Sequence, residues 1–148
     1  MTQQATTAAA LAREFLAALE ALDIDRASSV FRDDTSQEMP FSPGNFPKRL
    51  EGIEALRRQY GGLPDAYASM QFPIRHVYEP ADGTWAVVEY QGVISQRDGR
   101  RYDNTYIGVF RADAGRLVHF TEYFDPTVLQ EAFGDDMAET FTLDGEAR

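Results

Sequence analysis

From Met70 to Phe124 the sequence is a run of strand-like segments parted by turns, and nearly everything helical comes before it. Candidate strands cover 70–78, 85–96, 101–111 and 116–124. Turns fall at Pro80 to Gly83, at Asp98-Gly99 and at Asp113 to Gly115, and the last two suit hairpins. Upstream, Ala8, Leu11, Ala12, Phe15, Leu16, Leu19 and Leu22 recur at three- and four-residue steps, the pattern of an amphipathic helix. Asp23 and Asp25 offer caps for a short second helix carrying Ala27, Val30 and Phe31. Residues 36–41 read as a short strand, and Pro40, Pro43, Gly44 and Pro47 make a loop after it. A third helix spans about 52–60, with Ile53, Leu56 and Tyr60 on one side, and Gly61, Gly62 and Pro64 end it. Asp125-Pro126 opens a last helix, Asp as cap and Pro at the first helical position, with Leu129, Ala132 and Phe133 inward. The acidic tail from Gly134 is expected to be loose at its end. Helices first and a long antiparallel sheet second predict an α+β fold, one domain over 1–148, with helices on one sheet face. If the sheet curves, it forms a cone with the helices as lid, and pockets form in such mouths.

Composition narrows the function classes. A net charge of −10 argues against nucleic-acid binding, which needs patches of Lys and Arg. The basic cluster of Arg97, Arg100 and Arg101 is interrupted by Asp98 and Gly99 and reads as a solvated hairpin tip. With no cysteine, disulfides, thiolate metal sites and cysteine nucleophiles are excluded. His76 and His119 are the only histidines, so no metal site is expected. No apolar stretch is long enough for a bilayer, and no basic region followed by an apolar run opens the chain. The expectation is a cytoplasmic protein that engages no membrane.

One strand carries an unusual residue. In Arg116–Phe124, alternation puts Phe120, Glu122 and Phe124 on one face and His119, Thr121 and Tyr123 on the other. A carboxylate between two phenylalanines is costly to desolvate. Burial would raise its pKa and let it carry a proton near neutral pH. The bland alternative is a surface glutamate at a strand end. One strand earlier, Asn104, Tyr106, Gly108 and Phe110 share a face. Before that, Val87, Glu89, Gln91 and Val93 share one face, and Ala86, Val88, Tyr90 and Gly92 the other. Parity alone leaves open which face is inner. Both sheet faces are partly apolar, which suggests that a second subunit covers the outer one.

The pattern Gly-Arg-Arg-Tyr-x-Asn-x-Tyr-Ile-Gly-Val-Phe from Gly99, the turn at Gly115 and Glu-Tyr-Phe-Asp-Pro from Glu122 resemble the SnoaL-like branch of the NTF2-like superfamily. The resemblance extends over nearly the whole chain. It implies a cone-shaped α+β barrel, a homodimer formed through the outer sheet face, and no cofactor. The family's acid or base then falls on Glu122, and the matching cavity positions include Asn104, Tyr106, Glu89, Gln91 and Glu38. The Glu, the Asp-Pro step and Ala132-Phe133-Gly134 lie nearest the phenazine-biosynthesis PhzA/PhzB proteins, whose cavity histidine has no secure counterpart here. Limonene epoxide hydrolase has an Arg-x-Asp pair where this chain has Glu89-Tyr90-Gln91, so its water-activating set is not intact.

The resulting expectation is an enzyme that moves protons on a hydrophobic small molecule, by isomerisation, cyclisation or condensation. Glu122, Glu89 and Tyr106 are its catalytic candidates. Asn104, Gln91, Glu38, Phe120 and Phe124 are its substrate-binding candidates. Glu89 or Glu38 would be the second proton carrier beside Glu122. Each can also be a solvated strand residue, and Tyr106 can be a core aromatic. Asp125 reads as a helix cap, and His119 as an outward residue. The alternatives are a non-catalytic binding or interaction module of the same fold, and an epoxide hydrolase with water held between Glu122 and Gln91.

Overall fold

A computed structural model describes residues 5–134. The elements, in order, are α1 (Ala8–Glu20), α2 (Ile24–Ser29), β1 (Phe31–Glu38), β2 (Arg49–Glu51), α3 (Ile53–Gly61), α4 (Leu63–Ala66), β3 (Tyr67–Gln71), β4 (Ile74–Tyr78), β5 (Trp85–Gln96), β6 (Arg101–Asp113), β7 (Arg116–Phe124) and α5 (Pro126–Phe133). The fold is α+β, with N-terminal helices against a curved, unclosed mixed sheet. The acidic tail lies outside the described residues, apart from Gly134.

Seven strands form one sheet in the order β2-β1-β7-β6-β5-β3, and β4 also pairs with β5. Every pairing is antiparallel except β1 with β7. The β5–β6 hairpin runs without a break from Trp85 opposite Arg111 to Ser95 opposite Arg101. Gly99 turns it with a φ of 91°, a left-handed conformation that suits glycine.

Local chemistry sets the helices. Thr7 caps α1 by accepting from the Ala10 N–H at 3.1 Å, and Asp23 caps α2 by accepting from the Arg26 N–H at 3.0 Å. Asp125 caps α5 through the Thr127 N–H at 2.9 Å, with Pro126 at the first position. The apolar stripe of α1 lies on the sheet. Phe15 meets Phe31, Tyr60, Phe110 and Phe120 edge-on, with centroids 5.2–6.3 Å apart. Phe110 and Phe120 stack at 4.3 Å beneath it. This dry layer is the floor of the fold.

Four boundaries differ from the sequence reading. Val30 ends α2 and Phe31 opens β1, because the parallel pairing of Phe31 with Leu117 starts the strand there. That strand then stops at Glu38, short of 41. Residues 70–78 are two strands, since Pro73 has no N–H to extend the ladder. The Pro73 carbonyl accepts from the Gln91 N–H at 3.0 Å, and Phe72 turns inward at the break. Finally, β2 and α4 are short elements held by tertiary contact, and no sequence period marks them.

Candidate active site

On β7, Phe120, Glu122 and Phe124 face the helices. Phe120 sinks into the floor, fully buried. Above it, Glu122 and Phe124 open onto a pocket roofed by Leu16 and Leu19 of α1 and Tyr60 of α3. The pocket holds about 660 Å³ of atom-free space, its mouth included. Its walls are mainly aromatic and aliphatic. Among the described residues Glu122 is the only carboxylate that lines it.

Glu122 Oε2 accepts a hydrogen bond from the Tyr90 hydroxyl at 2.8 Å. Burial pushes the Glu122 carboxyl up to about 7, while the Tyr90 bond pulls the other way by favouring the anion. Near neutral pH this group is therefore divided between acid and base. Tyr90 stacks on Tyr106 at 5.0 Å, the rings 8° from parallel. Phe72 meets both edge-on, at 6.0 and 6.3 Å. The N–H of Phe72 donates to Glu20 Oε2 at 2.7 Å, which ties this wall to the end of α1. Tyr60 donates to Gln37 Oε1 at 2.9 Å across the pocket roof. Among the described residues no group of three or more His, Asp or Glu is placed to hold a metal ion.

The sequence and the fold are matched by known proteins. Residues 12–120 match the model of the SnoaL-like domain. The chain belongs to the SnoaL-like family. Among its relatives is the uncharacterized protein YesE of Bacillus subtilis, 29% identical over 86% of this chain and 88% of that one. An uncharacterized PhzA/B-like protein of Pseudomonas aeruginosa, PA3332, is 26% identical over 71% of this chain and 74% of its own. A crystal structure of a candidate isomerase from Bacillus subtilis superposes with a TM-score of 0.78 and 29% identity, covering 86% of this chain and 92% of that one.

Several cavity positions transferred from the SnoaL-like pattern lie elsewhere. Glu89 and Gln91 are on the outer face of β5, because Tyr90, opposite Tyr106, is the inward residue. Glu89 is 4.0 Å from His76, and Gln91 Oε1 accepts from Thr105 Oγ1 at 3.0 Å. Glu38 is opposite Thr121 on the outer face, where it ion-pairs with Arg49 and lies 3.8 Å from His119. Its neighbour Gln37, opposite Phe120, points inward. Asn104 is inward and buried, but its amide is consumed within the protein and does not line the pocket. Phe120 belongs to the floor for the same reason of depth. Tyr106 and Phe124 do line the pocket. His119 faces outward, its Nδ1 2.6 Å from Ser36 Oγ, and burial pushes its pKa down while Glu38 pulls it back up.

The residues missed were Tyr90, Tyr102, Tyr67 and Tyr60. The loop between β5 and β6 holds three residues, Arg97, Asp98 and Gly99, with the Gln96 N–H donating to the Arg100 carbonyl at 2.8 Å. That sets Ser95 opposite Arg101 and Tyr90 opposite Tyr106, whereas a two-residue turn at Asp98-Gly99 would set Gln91 there, so the sequence left the register open by one residue.

Proposed function

We propose that this protein is a cofactor-independent acid–base enzyme acting on a hydrophobic small molecule, by isomerisation, cyclisation or condensation. The observation that carries this reading is Glu122: one carboxyl in an aromatic pocket, with a pKa of about 7 and a single phenolic partner. A base poised at ambient pH takes and returns protons with the least bias. In the simplest case, the Glu122 carboxylate removes a proton from the carbon between a carbonyl and an alkene. The C–H electron pair moves into the carbonyl, leaving a dienolate. Protonated Glu122 then returns the same proton to the far alkene carbon, and the double bond ends conjugated. Nothing is oxidised or reduced, so no cofactor enters the balance. Tyr90 stabilises the anionic form of Glu122 and orients it.

One carboxyl suffices for this sequence, and the second carrier expected at Glu89 or Glu38 is not needed. Water held between Glu122 and Gln91, the arrangement expected for epoxide opening, is unavailable because Gln91 lies on the other face. The kinship with a candidate isomerase supports the same class. The reading includes a homodimer joined through the outer sheet face, where Trp85 and Ile107 are exposed apolar residues.

The test is isomerisation of a β,γ-unsaturated cyclohexenone, followed by absorbance of the conjugated product. Glu122→Gln should lower the rate by about 100-fold or more, the usual worth of a proton-transfer group. Equal rates in the two proteins would sink the proposal and leave a binding module.

A further inference from the structure

Two buried phenols at one side of the pocket hold more protons than they have acceptors, and Asn104 settles the count. Its Oδ1 accepts from the Thr105 N–H at 2.8 Å and from the Asp125 N–H at 3.0 Å. Two backbone donors on one atom identify it as the amide oxygen. The nitrogen therefore donates, to the Asp125 carbonyl at 3.1 Å and to the Tyr102 hydroxyl oxygen at 2.8 Å.

The Tyr102 and Tyr106 hydroxyls are 3.2 Å apart and share one hydrogen bond. Two phenols own two protons, and that bond uses one, whichever way it runs. Neither hydroxyl meets another acceptor among the described residues. One O–H proton is left over. Tyr67, 1% exposed, lines the same pocket and adds a third phenol beside them. All three side chains line the pocket. The other two pocket phenols are spent, Tyr90 on Glu122 and Tyr60 on Gln37.

We propose that Tyr67, Tyr102 and Tyr106 form a subsite for an anionic or enolic ligand oxygen, with Tyr102, oriented by Asn104, as principal donor. The substrate class is then an enolisable ketone or a phenol with an apolar body. As a statement about catalysis the proposal rests on the proton-transfer reading of Glu122. As a statement about binding it does not.

The chemistry is complementary. Among the described residues no Lys, Arg or His lines the pocket, so phenolic donors are what these residues offer a developing oxyanion. A hydroxyl that accepts hydrogen bonds donates its own proton more strongly. Burial pushes the Tyr102 phenol up to about 12, and the hydrogen bonds from Tyr106 and Asn104 pull the other way, while Tyr67 and Tyr106 are pushed well above the usual phenol range by burial. When Glu122 takes a proton from the ligand, negative charge leaves the carboxylate and appears on the oxygen at the phenols. The charge of the filled pocket stays constant.

The probes are para-nitrophenol, whose anion has its own visible band, and para-nitroanisole, which cannot ionise. Binding is measured in a Glu122→Gln background, where turnover plays no part and the carboxylate charge is gone. The anion should bind with its ionisation shifted to lower pH. Adding Tyr102→Phe should weaken the anion by ~10- to 100-fold, the worth of a hydrogen bond to a charged group, and Tyr67→Phe by less. The anisole should bind every variant alike. Undiminished anion binding in both Phe variants would overturn the subsite, and so would a parallel loss of the anisole. Wild-type protein offers a check free of folding effects, because equal affinity for phenol and anisole also overturns it. Failure here leaves the cyclohexenone assay of Glu122 intact, and failure of that assay leaves this binding result standing.

Discussion

The Tyr90 hydroxyl donates to Glu122 at 2.8 Å although β6 runs between their strands. The contact spans the concave face of the sheet and joins the acid of one hairpin to the aromatic wall of the other. It also opposes the upward pull of burial on Glu122. Removing the hydroxyl by Tyr90→Phe should raise that pKa further. The pH–rate profile of the cyclohexenone reaction should rise through about 7 in wild type, as the base form appears. In Tyr90→Phe the midpoint should move alkaline by about one pH unit or more, since a hydrogen bond to a charged group is worth ~1.5–3 kcal/mol. An unmoved midpoint would show that another group controls the profile.

Glu122 also ties stability to pH. The unfolded chain releases this proton near 4.5, whereas the folded chain keeps it to about 7. Between those values the folded state binds more protons, so stability falls as pH rises and stays lower above the window. The shift corresponds to about 3 kcal/mol at most. Glu122→Gln should remove this dependence and be more stable than wild type above neutrality, with the two proteins converging at acid pH. Urea titrations across the window check it; parallel curves for the two proteins would contradict the burial of this carboxyl.

The pocket residue with the strongest chemistry was legible because a strand has only two faces. Phe120 and Phe124 mark the inner face of β7, and Glu122 falls between them. The same rule failed one hairpin away, where both faces of β5 carry apolar residues and periodicity cannot rank them. Family positions were then used in place of register, and they drew Glu89 and Gln91 inward, whereas the three-residue loop at 97–99 shifts the ladder by one and pairs Tyr90 with the inward Tyr106. The short β2 and α4 lay beyond single-sequence reasoning for another reason. Three or four residues carry no period, and their conformations follow from neighbours that only the folded chain supplies.

Glu89 and Glu38 supply a control. Both lie on the outer face, near His76 and Arg49 respectively. Glu89→Gln and Glu38→Gln should leave cyclohexenone turnover within about twofold of wild type and stability within ~0.5–1 kcal/mol, as exposed pairs contribute little. A loss near that of Glu122→Gln in either variant would restore the two-carboxylate mechanism.

Two glycines make room for rings, Gly92 beside the tyrosine wall and Gly108 beside the floor. A Cβ on Gly92 would come within 2.7 Å of Tyr106 Cε2, and one on Gly108 within 2.6 Å of Phe110 Cε2 and 3.0 Å of Phe120 Cε2. Both approaches are closer than side chains tolerate, so each Gly→Ala change must shift a ring. Overpacking of this kind costs ~1–3 kcal/mol, and urea titration should find both variants destabilised in that range. Their effects on the ligand should differ. The ring displaced in Gly92→Ala is Tyr106, which stacks on Tyr90 and shares the hydrogen bond with Tyr102. The rings displaced in Gly108→Ala belong to the dry layer under Phe15. Binding of para-nitrophenolate should therefore weaken in Gly92→Ala and stay near wild type in Gly108→Ala at equal fractions folded. The reverse order would mean that the floor, rather than the tyrosine wall, shapes the oxygen site.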